Sequence, residues 1–324
     1  MPSADGRWPA APLIRVNPIY PGQMGVLGTD SETGLRTSCT GTIFYVDPNY
    51  PGASDQRDGT NPTDPLLTVA AALTKCQPYR GDVIAVMANA FWIHADQTLG
   101  YATPIREEVV VTVPGVSIVG VFPSGSPGVP WYTTTAAGAG TCITIVAMDV
   151  LVEGFAFCGG NLGGTGIRVD WSGGGVNYGD NATIRNCFFN EDIDNGIVLD
   201  FSYYTRILNN WFDGCDTNGI YHDSVTDPGP AYCEVANNWF RECGTAIDAS
   251  FDHSNIHHNM IADSGLAAGD GIDTAAGSLN LVHQNVLPCP LGAGAGQYGT
   301  FCDAPASDMW VQNYCTDGPT TGNP

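Results

Sequence analysis

The chain has 324 residues, of which 43% are hydrophobic and 14% charged, and it contains 41 glycines and 22 prolines. The apolar content excludes an intrinsically disordered chain, and the lack of a glycine triplet period excludes collagen. The glycines and prolines instead indicate many turns between short strands. We therefore expect a turn-rich, all-β protein.

The chain is strongly acidic: 33 acidic residues against 11 basic ones give a net charge of −22. Lys75 is the only lysine. A protein that grips phosphates needs clustered lysines and arginines, so we expect no nucleic-acid partner. Cations or a positively charged protein surface fit this charge better. No stretch approaches the ~18 apolar residues of a membrane span, so we expect no membrane partner.

The N-terminal residues lack a basic segment followed by an apolar run, so we expect no secretion signal and synthesis in the cytoplasm. The eleven cysteines are odd in number and include no Cys-x-x-Cys pair. This pattern argues against a zinc ribbon or a redox motif. Buried free thiols are the favoured interpretation, because cysteine is a common small core residue.

The first part of the chain reads as an arm, a strand and a helix. Residues 1–41 have little periodicity and predict an extended arm that lies across a neighbouring molecule. Residues 42–46 alternate like a strand. Asp64 as N-cap and Pro65 at the first helical position then predict a helix over 65–76, the only helix that the sequence supports.

A repeat of short strands follows residue 81 and is clearest from about 105 to 287. Its first anchor is a Gly-Ile or Ala-Ile step at Ile167, Ile197, Ile220, Ile247 and Ile272. A period of roughly 21 to 32 residues built from strands and turns is typical of a parallel β-solenoid, in which each coil buries its inner face against the next.

Stacking the repeats places equivalent residues in columns ~4.8 Å apart. One predicted inward row contains Phe157, Phe189, Phe212, Phe240, Ile261 and Leu287. A second contains Val152, Ile184, Ile207, Val235, Ile256 and Val282. A turn column of Asn186, Asn209 and Asn237 is predicted to hydrogen-bond along the stack. Helix 65–76 would cap one end, and residues 288–324 or a partner subunit would close the other.

Several motifs carry a family resemblance: residues 42–47, the loop 55–62 with Asn61-Pro62, the capping helix, and residues 81–86 and 114–120. Together they resemble the opening of pectate-lyase-like right-handed parallel β-helix proteins, in particular the virion-associated ones encoded by tailed bacteriophages. The resemblance implies a right-handed parallel β-helix over 42–287, a place on the virion surface and assembly as a homotrimer. Fold alone does not decide function.

Aspartates mark the outward side of the strands that follow the isoleucine anchor. Asp170, Asp200 and Asp223 fall in one column, and Asp248 and Asp273 fall in the neighbouring one. Carboxylates stacked ~5 Å apart share a proton, bind a cation or carry out acid–base chemistry on a sugar. The favoured interpretation is a solvated acidic face.

Two alternatives stay open for these aspartates. The first is a Ca²⁺ site, with Asp170, Asp200 and Asp223 as metal candidates. The second is a glycosidase pair, either Asp200 with Asp223 or Asp200 with Asp248. A pectate-type lyase is disfavoured, because its arginine or lysine base would have to be Arg168 or Arg206, and neither lies in a family motif.

Histidines and cysteines give two further candidate pairs. His257 and His283 fall in one outward column and are two ligands that a transition metal would accept. Ordinary surface histidines are favoured, because a pair without a third ligand is a weak signal and His253 and His258 are too scattered to change that. Cys215 and Cys243 occupy equivalent positions and should stack, either as a disulfide or as buried thiols.

Aromatic residues suggest a contact surface around the longest coil. The glycine-rich loop 171–181 lies there with Trp131, Tyr132, Tyr203 and Tyr204, and these rings suit a protein interface or a glycan.

These observations favour a non-enzymatic structural role. The leading hypothesis is a bacteriophage virion protein, a capsid decoration or cement protein that binds the major capsid protein through the arm 1–41. No cofactor is expected, with Ca²⁺ as the alternative. The runner-up is a tailspike-like or free polysaccharide-degrading enzyme using Asp200, Asp223 and Asp248, and a third class is a glycan-binding module.

Overall fold

The computed structural model describes the fold over most of the chain. The described residues are 27–29, 36–38, 41–87, 104–121, 128–134, 140–159, 163–170, 179–190, 192–222, 229–248, 250–262, 271–274, 277–287, 302–303, 307–315 and 318–319. Within them the chain winds into successive coils, and each full coil supplies one strand to each of three sheets.

Neighbouring coils pair in parallel throughout the stack. The first sheet consists of Ile43–Val46, Val83–Met87, Ser117–Val121, Leu151–Glu153, Thr183–Arg185, Arg206–Leu208, Glu234–Ala236, Asn255–His257, Leu281–His283 and Met309–Val311. The second consists of Val129–Tyr132, Phe155–Cys158, Phe188–Phe189, Trp211–Asp213, Trp239–Arg241, Met260–Ala262, Val286–Leu287 and Tyr314–Cys315, with Gly318–Pro319 added antiparallel. The third consists of Val109–Val111, Thr141–Ile145, Thr165–Val169, Asn195–Leu199, Asn218–Tyr221, Thr245–Asp248, Ile272–Asp273 and Cys302–Asp303.

This architecture is a right-handed parallel β-helix, which confirms the predicted fold class. The stack continues beyond residue 287, because 302–303, 309–311 and 314–315 add one more coil within the C-terminal segment 288–324. Of the N-terminal arm, Leu27–Thr29 pairs antiparallel with Arg36–Ser38. The rest of the arm, up to residue 40, lies outside the described residues.

The two predicted inward rows form the core. The phenylalanines of the first row are fully buried, and the rings of Phe189, Phe212 and Phe240 stack with centroids 4.7 and 4.5 Å apart and planes within 6°. Each stacked pair adds about 0.5–1.5 kcal/mol beyond burial itself. The aliphatic row from Val152 to Val282 is also fully buried. The side chain of Leu287 lies outside the described residues.

The glycine of the Gly-Ile anchor is crowded by the next coil and by these rings. A Cβ on Gly196 would lie 2.6 Å from the carbonyl oxygen of Gly219 and 2.7 Å from the ring of Phe212. One on Gly219 would lie 2.6 Å from the carbonyl oxygen of Ala246 and 2.7 Å from the ring of Phe240. Ala246 occupies the equivalent position one coil later, where Ile261 replaces the phenylalanine.

The asparagine ladder lies one residue beyond the predicted column. Asn186, Asn209 and Asn237 do share a turn column, but their φ angles of 52–57° place them at the left-handed bend itself. The hydrogen-bonded ladder is formed by the buried residues Asn210, Asn238, Asn259, Asn285 and Asn313. The side chain of the bend residue, such as Asn209, points outward, and that of the next residue, Asn210, points inward. The predicted ladder column was therefore wrong by one residue.

The first four ladder amides, those of Asn210, Asn238, Asn259 and Asn285, each donate to two acceptors. The Nδ2 of Asn238 donates to the Oδ1 of Asn259 at 3.0 Å and to the backbone carbonyl of Ile207 at 2.9 Å. Its Oδ1 accepts from the backbone and side chain of Asn210 at 2.9 and 3.1 Å. Buried polar groups of this kind stabilise only when every donor is paired, and here the pairing links neighbouring coils directly.

The capping helix is shorter than predicted and begins later. It spans Val69–Lys75, and its N-cap is Thr68, whose Oγ1 accepts from the amide of Ala71 at 3.1 Å. Leu66 is extended instead, because its amide and carbonyl both bond to the strand residues Tyr45 and Asp47. Asp64 is therefore not the cap, and the predicted start at residue 65 is wrong.

Candidate functional site

The outward aspartates of the third sheet are arranged as predicted where they are described. Strand register sets Asp170 beside Asp200, one position past the pair Val169 and Leu199. Asp200 Oδ2 accepts from Arg168 Nη1 at 2.6 Å, so this carboxylate belongs to a cross-coil ion pair. Asp223, the predicted partner of Asp200 on the next coil, lies outside the described residues.

Asp248 and Asp273 form the neighbouring column. They face each other in adjacent strands of the third sheet. Burial raises the pKa of Asp248, and the negative charge of Asp273 acts in the same direction. A half-buried carboxyl next to a second carboxylate is the arrangement from which a proton donor can be built.

The first sheet carries cross-coil ion pairs on its outward side. Arg185 Nη2 lies 2.9 Å from Glu153 Oε2, and Arg206 Nε lies 2.9 Å from Glu234 Oε2. Arg168 and Arg206, the candidate lyase bases, are thus both engaged by carboxylates. An arginine held in this way by a carboxylate has a structural role and is not free to act as a base.

Three histidines lie together where the sequence predicted two. The rings of His257 and His283 stack with centroids 5.0 Å apart and planes within 8°, which confirms their shared column. His258, which the sequence pattern leaves apart from this pair, lies against His257. The left-handed bend folds it back, so that its Nδ1 lies 2.7 Å from the Nδ1 of His257.

Burial is the main cause that lowers the pKa of His257, although Glu234, with Oε1 3.4 Å from His257 Nε2, opposes it. The imidazoles of His283 and His258 add to the lowering. In the part of the chain that the structure describes, no group of three or more His, Cys, Asp or Glu side chains is arranged to hold a metal ion. The Ca²⁺ assignment to Asp170, Asp200 and Asp223 stays a prediction.

Cys215 and Cys243 are both fully buried and in side-chain contact, as free thiols. The stacking that the template predicted is therefore present. The contact itself is the largest cause acting on both groups, and it raises the pKa of Cys215 and lowers that of Cys243.

The predicted aromatic surface is only partly at the surface. Trp131 is completely buried and packs edge-on against Phe155 at 5.3 Å, so it belongs to the core. Tyr204 is exposed, and its ring stacks on Tyr232 with centroids 5.4 Å apart. Residues 171–178 of the glycine-rich loop lie outside the described residues.

A second aromatic column was not foreseen. Trp211 and Trp239 occupy matching outward positions at the start of second-sheet strands, and their rings stack at 4.6 Å within 10°. Their outer edges are exposed to solvent. The repeated Asn-Asn-Trp-Phe sequence carried the signal, because alternation in a strand puts Trp outward once Phe is inward.

Part of the chain matches a protein-family model. Residues 152–288 match the model of the family described as periplasmic copper-binding protein (NosD). The match covers less than half of the chain. No curated protein sequence matches it.

Three solved structures illustrate the likeness. The lacto-N-biosidase GH136 from Eubacterium ramulus is 10% identical, with 85% of this chain and 67% of that one covered and a TM-score of 0.35. Geobacillus virus E2 ORF18 is 11% identical, with 85% and 62% covered and a TM-score of 0.36. The Dettilon tailspike protein is 12% identical, with 85% and 68% covered and a TM-score of 0.30. No site residue carries over at these identities.

The described residues contain no helix long and apolar enough to cross a membrane.

Proposed function

We propose that this protein is a structural component of a bacteriophage particle, a capsid decoration protein on the virion surface. The observation that carries the proposal is how the outward carboxylates are used. Glu153, Asp200 and Glu234 each bind an arginine one coil away, at 2.6–2.9 Å. Asp200, one of the candidate catalytic residues, therefore connects two coils and is not available as a free base.

A stiff, self-supporting rod follows from the interior as well. The ladder from Asn210 to Asn313 links five successive coils by amide hydrogen bonds at one corner, and the stacked phenylalanines fill the space beside it. Because each coil contacts only its neighbours, this regularity stiffens the molecule along its axis. A rigid module with a separate attachment segment suits a surface component of a particle.

The arm 1–41 is the proposed attachment segment, and the major capsid protein is its proposed partner. The net charge of −22 favours a positively charged surface on that partner. Assembly as a homotrimer would present three arms together, and their combined binding would exceed that of one arm.

Deletion of residues 1–41 tests the attachment. We expect the truncated protein to keep the circular dichroism spectrum and melting temperature of the full chain and to lose binding to particles that lack the protein. A charge-matched control replaces the arm with a Gly/Ser sequence of equal length. Undiminished binding of the folded truncation would contradict the role of the arm.

A second candidate function, cleavage of a host polysaccharide, is favoured by Asp248. Its raised pKa beside Asp273 is what a general acid requires. The test compares the wild type with Asp248→Asn, Asp200→Asn and Asp223→Asn on a polysaccharide panel, with Asp58→Asn in the N-terminal loop as control. Cleavage abolished by Asp248→Asn and kept by Asp58→Asn would support the enzyme. No cleavage by the wild type would remove this candidate.

A further inference from the structure

One face of the β-helix carries no charge although the protein is highly acidic. It consists of three neighbouring columns over five coils, at the corner between the first and second sheets. The columns are Leu208, Ala236, His257, His283 and Val311 at the ends of first-sheet strands; Asn209, Asn237, His258, Gln284 and Gln312 at the bend; and Trp211, Trp239, Met260, Val286 and Tyr314 at the starts of second-sheet strands. We call these fifteen residues the charge-free face; Leu208 and Ala236 are buried beneath it, and the other thirteen reach the surface.

Charged residues border the face on the first two of its five coils. There the column of Arg206 and Glu234 borders it on the first sheet, and that of Asp213 and Arg241 borders it on the second. On the next three coils the first-sheet column continues as the uncharged residues Asn255, Leu281 and Met309, so the surface without charge widens along the axis, in a chain with 33 acidic residues.

The second-sheet column of the face is apolar and exposed. Trp211 is 38%, Trp239 39%, Met260 44%, Val286 39% and Tyr314 56% exposed. Because an aromatic side chain can bury 150–250 Å², five side chains exposed to this degree present on the order of 400 Å². Monomeric proteins rarely leave such a patch uncovered without a function.

The geometry of the tryptophans favours a protein over a sugar as the occupant. A sugar packs on the face of an indole ring, but Trp211 and Trp239 turn their adjoining faces toward each other at 4.6 Å. What they offer outward is a row of ring edges. Edges and the neighbouring Met260 and Val286 suit side-chain packing, the usual role of aromatic residues and methionine at protein interfaces.

We propose that the charge-free face packs against the same face of a second copy of this chain. Two molecules of net charge −22 repel each other wherever their acidic surfaces meet, so self-association is least opposed where charge is missing. A basic partner would instead bind an acidic face. The apolar column supplies about half of the ~800 Å² per partner of a standard interface, and the polar bend column beside it adds to this area.

This inference deepens the structural role proposed above and rests on it. The test measures the molar mass of the full chain at about 50 μM by light scattering and native mass spectrometry. We expect the wild type at a multiple of 34.1 kDa and the variants Met260→Glu and Val286→Glu shifted to 34.1 kDa, with dissociation constants raised at least tenfold. Val110→Glu, an exposed valine on the third sheet, is the matched control and should stay associated.

Thermal melts of each variant ensure that only folded protein is compared, and the two substitutions on separate coils guard against the failure of one. A monomeric wild type would overturn the inference, as would variants that stay associated or a control that dissociates. A monomer that still binds particles would overturn self-association through the charge-free face and leave the virion role intact. An oligomer that is absent from particles would support self-association and contradict the virion role.

Discussion

The side-chain amide of Asn238 donates to that of Asn259 across 3.0 Å, and Asn259 donates onward to Asn285 across the same distance. Asn237, its neighbour in sequence, is exposed and makes the bend. Two adjacent asparagines thus have different structural roles: Asn238 pairs with buried backbone groups, and Asn237 adopts the left-handed conformation of the turn.

This division predicts different costs for the two positions. Asn238→Ala leaves the buried amide of Asn210 without its acceptor and the carbonyl of Ile207 without its donor, and should lower the free energy of unfolding by about 2–4 kcal/mol. Asn237→Gly should change it by less than about 0.5 kcal/mol, since glycine adopts positive φ freely. Urea denaturation measures both. Equal losses of unfolding free energy at the two positions would show that the hydrogen bonds of the ladder do not stabilise the fold as predicted.

The close approach between the third sheet and the aromatic row predicts a steric effect. Gly196→Ala would place a methyl group 2.7 Å from the ring of Phe212 and should cost about 1–3 kcal/mol. The double variant Gly219→Ala with Phe240→Ile copies the Ala246 and Ile261 pairing of the next coil. Phe240→Ile should cost less stability in the Gly219→Ala background than in the wild type, because part of the crowding at residue 219 comes from the ring. An equal cost in the two backgrounds would rule out this explanation.

Helix capping gives a test of the corrected helix start. Thr68→Ala removes the Oγ1 acceptor of the Ala71 amide and should cost about 1 kcal/mol. Asp64→Ala, at the position that the sequence pattern favoured, should cost less, because its carboxylate contacts the exposed side chain of Arg57. Chemical denaturation compares the two, and a larger loss at Asp64 would contradict Thr68 as the cap.

Acidification should destabilise the coils that carry the histidine cluster. Burial lowers the pKa of His257 below its ordinary 6.5, so the unfolded chain takes up a proton first as the pH falls. The stability contributed by neutral His257 is complete above about pH 6.5 and is lost as the pH falls through the folded-state pKa. Glu234, His258 and His283 face this ring, with Arg206 bound to Glu234.

Melting temperatures between pH 7.5 and 5.5 test this effect. The wild type should lose more stability over that range than His257→Gln, in which the titrating group is gone. His253→Gln, at another corner of the coil, should behave like the wild type. A loss in His257→Gln equal to that of the wild type would mean that other groups control the response.

The sequence predicts the fold well because the residues that define the repeat are the ones whose side chains point into the core. The rows from Phe157 to Ile261 and from Val152 to Val282 were placed correctly, since a period-2 strand leaves little choice of face once the stack is recognised. The capping helix was misplaced because Leu66 makes strand hydrogen bonds that no local propensity contains.

The surface was harder to predict, because partners there depend on how far a turn rotates the chain. The same left-handed bend that moved the ladder from Asn209 to Asn210 also brought His258 against His257. Likewise, Arg168 and Asp200 are 32 residues apart, and only the register of adjacent coils shows that they are bonded. A prediction of catalytic acids from the column alone could not show that one of them, Asp200, is bound by an arginine.

The proposed place of this chain on the surface of a phage particle is tested most directly by quantitative peptide mass spectrometry on gradient-purified particles, which counts copies of the chain relative to the major capsid protein. We predict copies in the hundreds per particle, as a lattice-bound decoration protein requires. A handful of copies would assign the chain to a tail or spike, and its absence from purified particles would contradict the virion role.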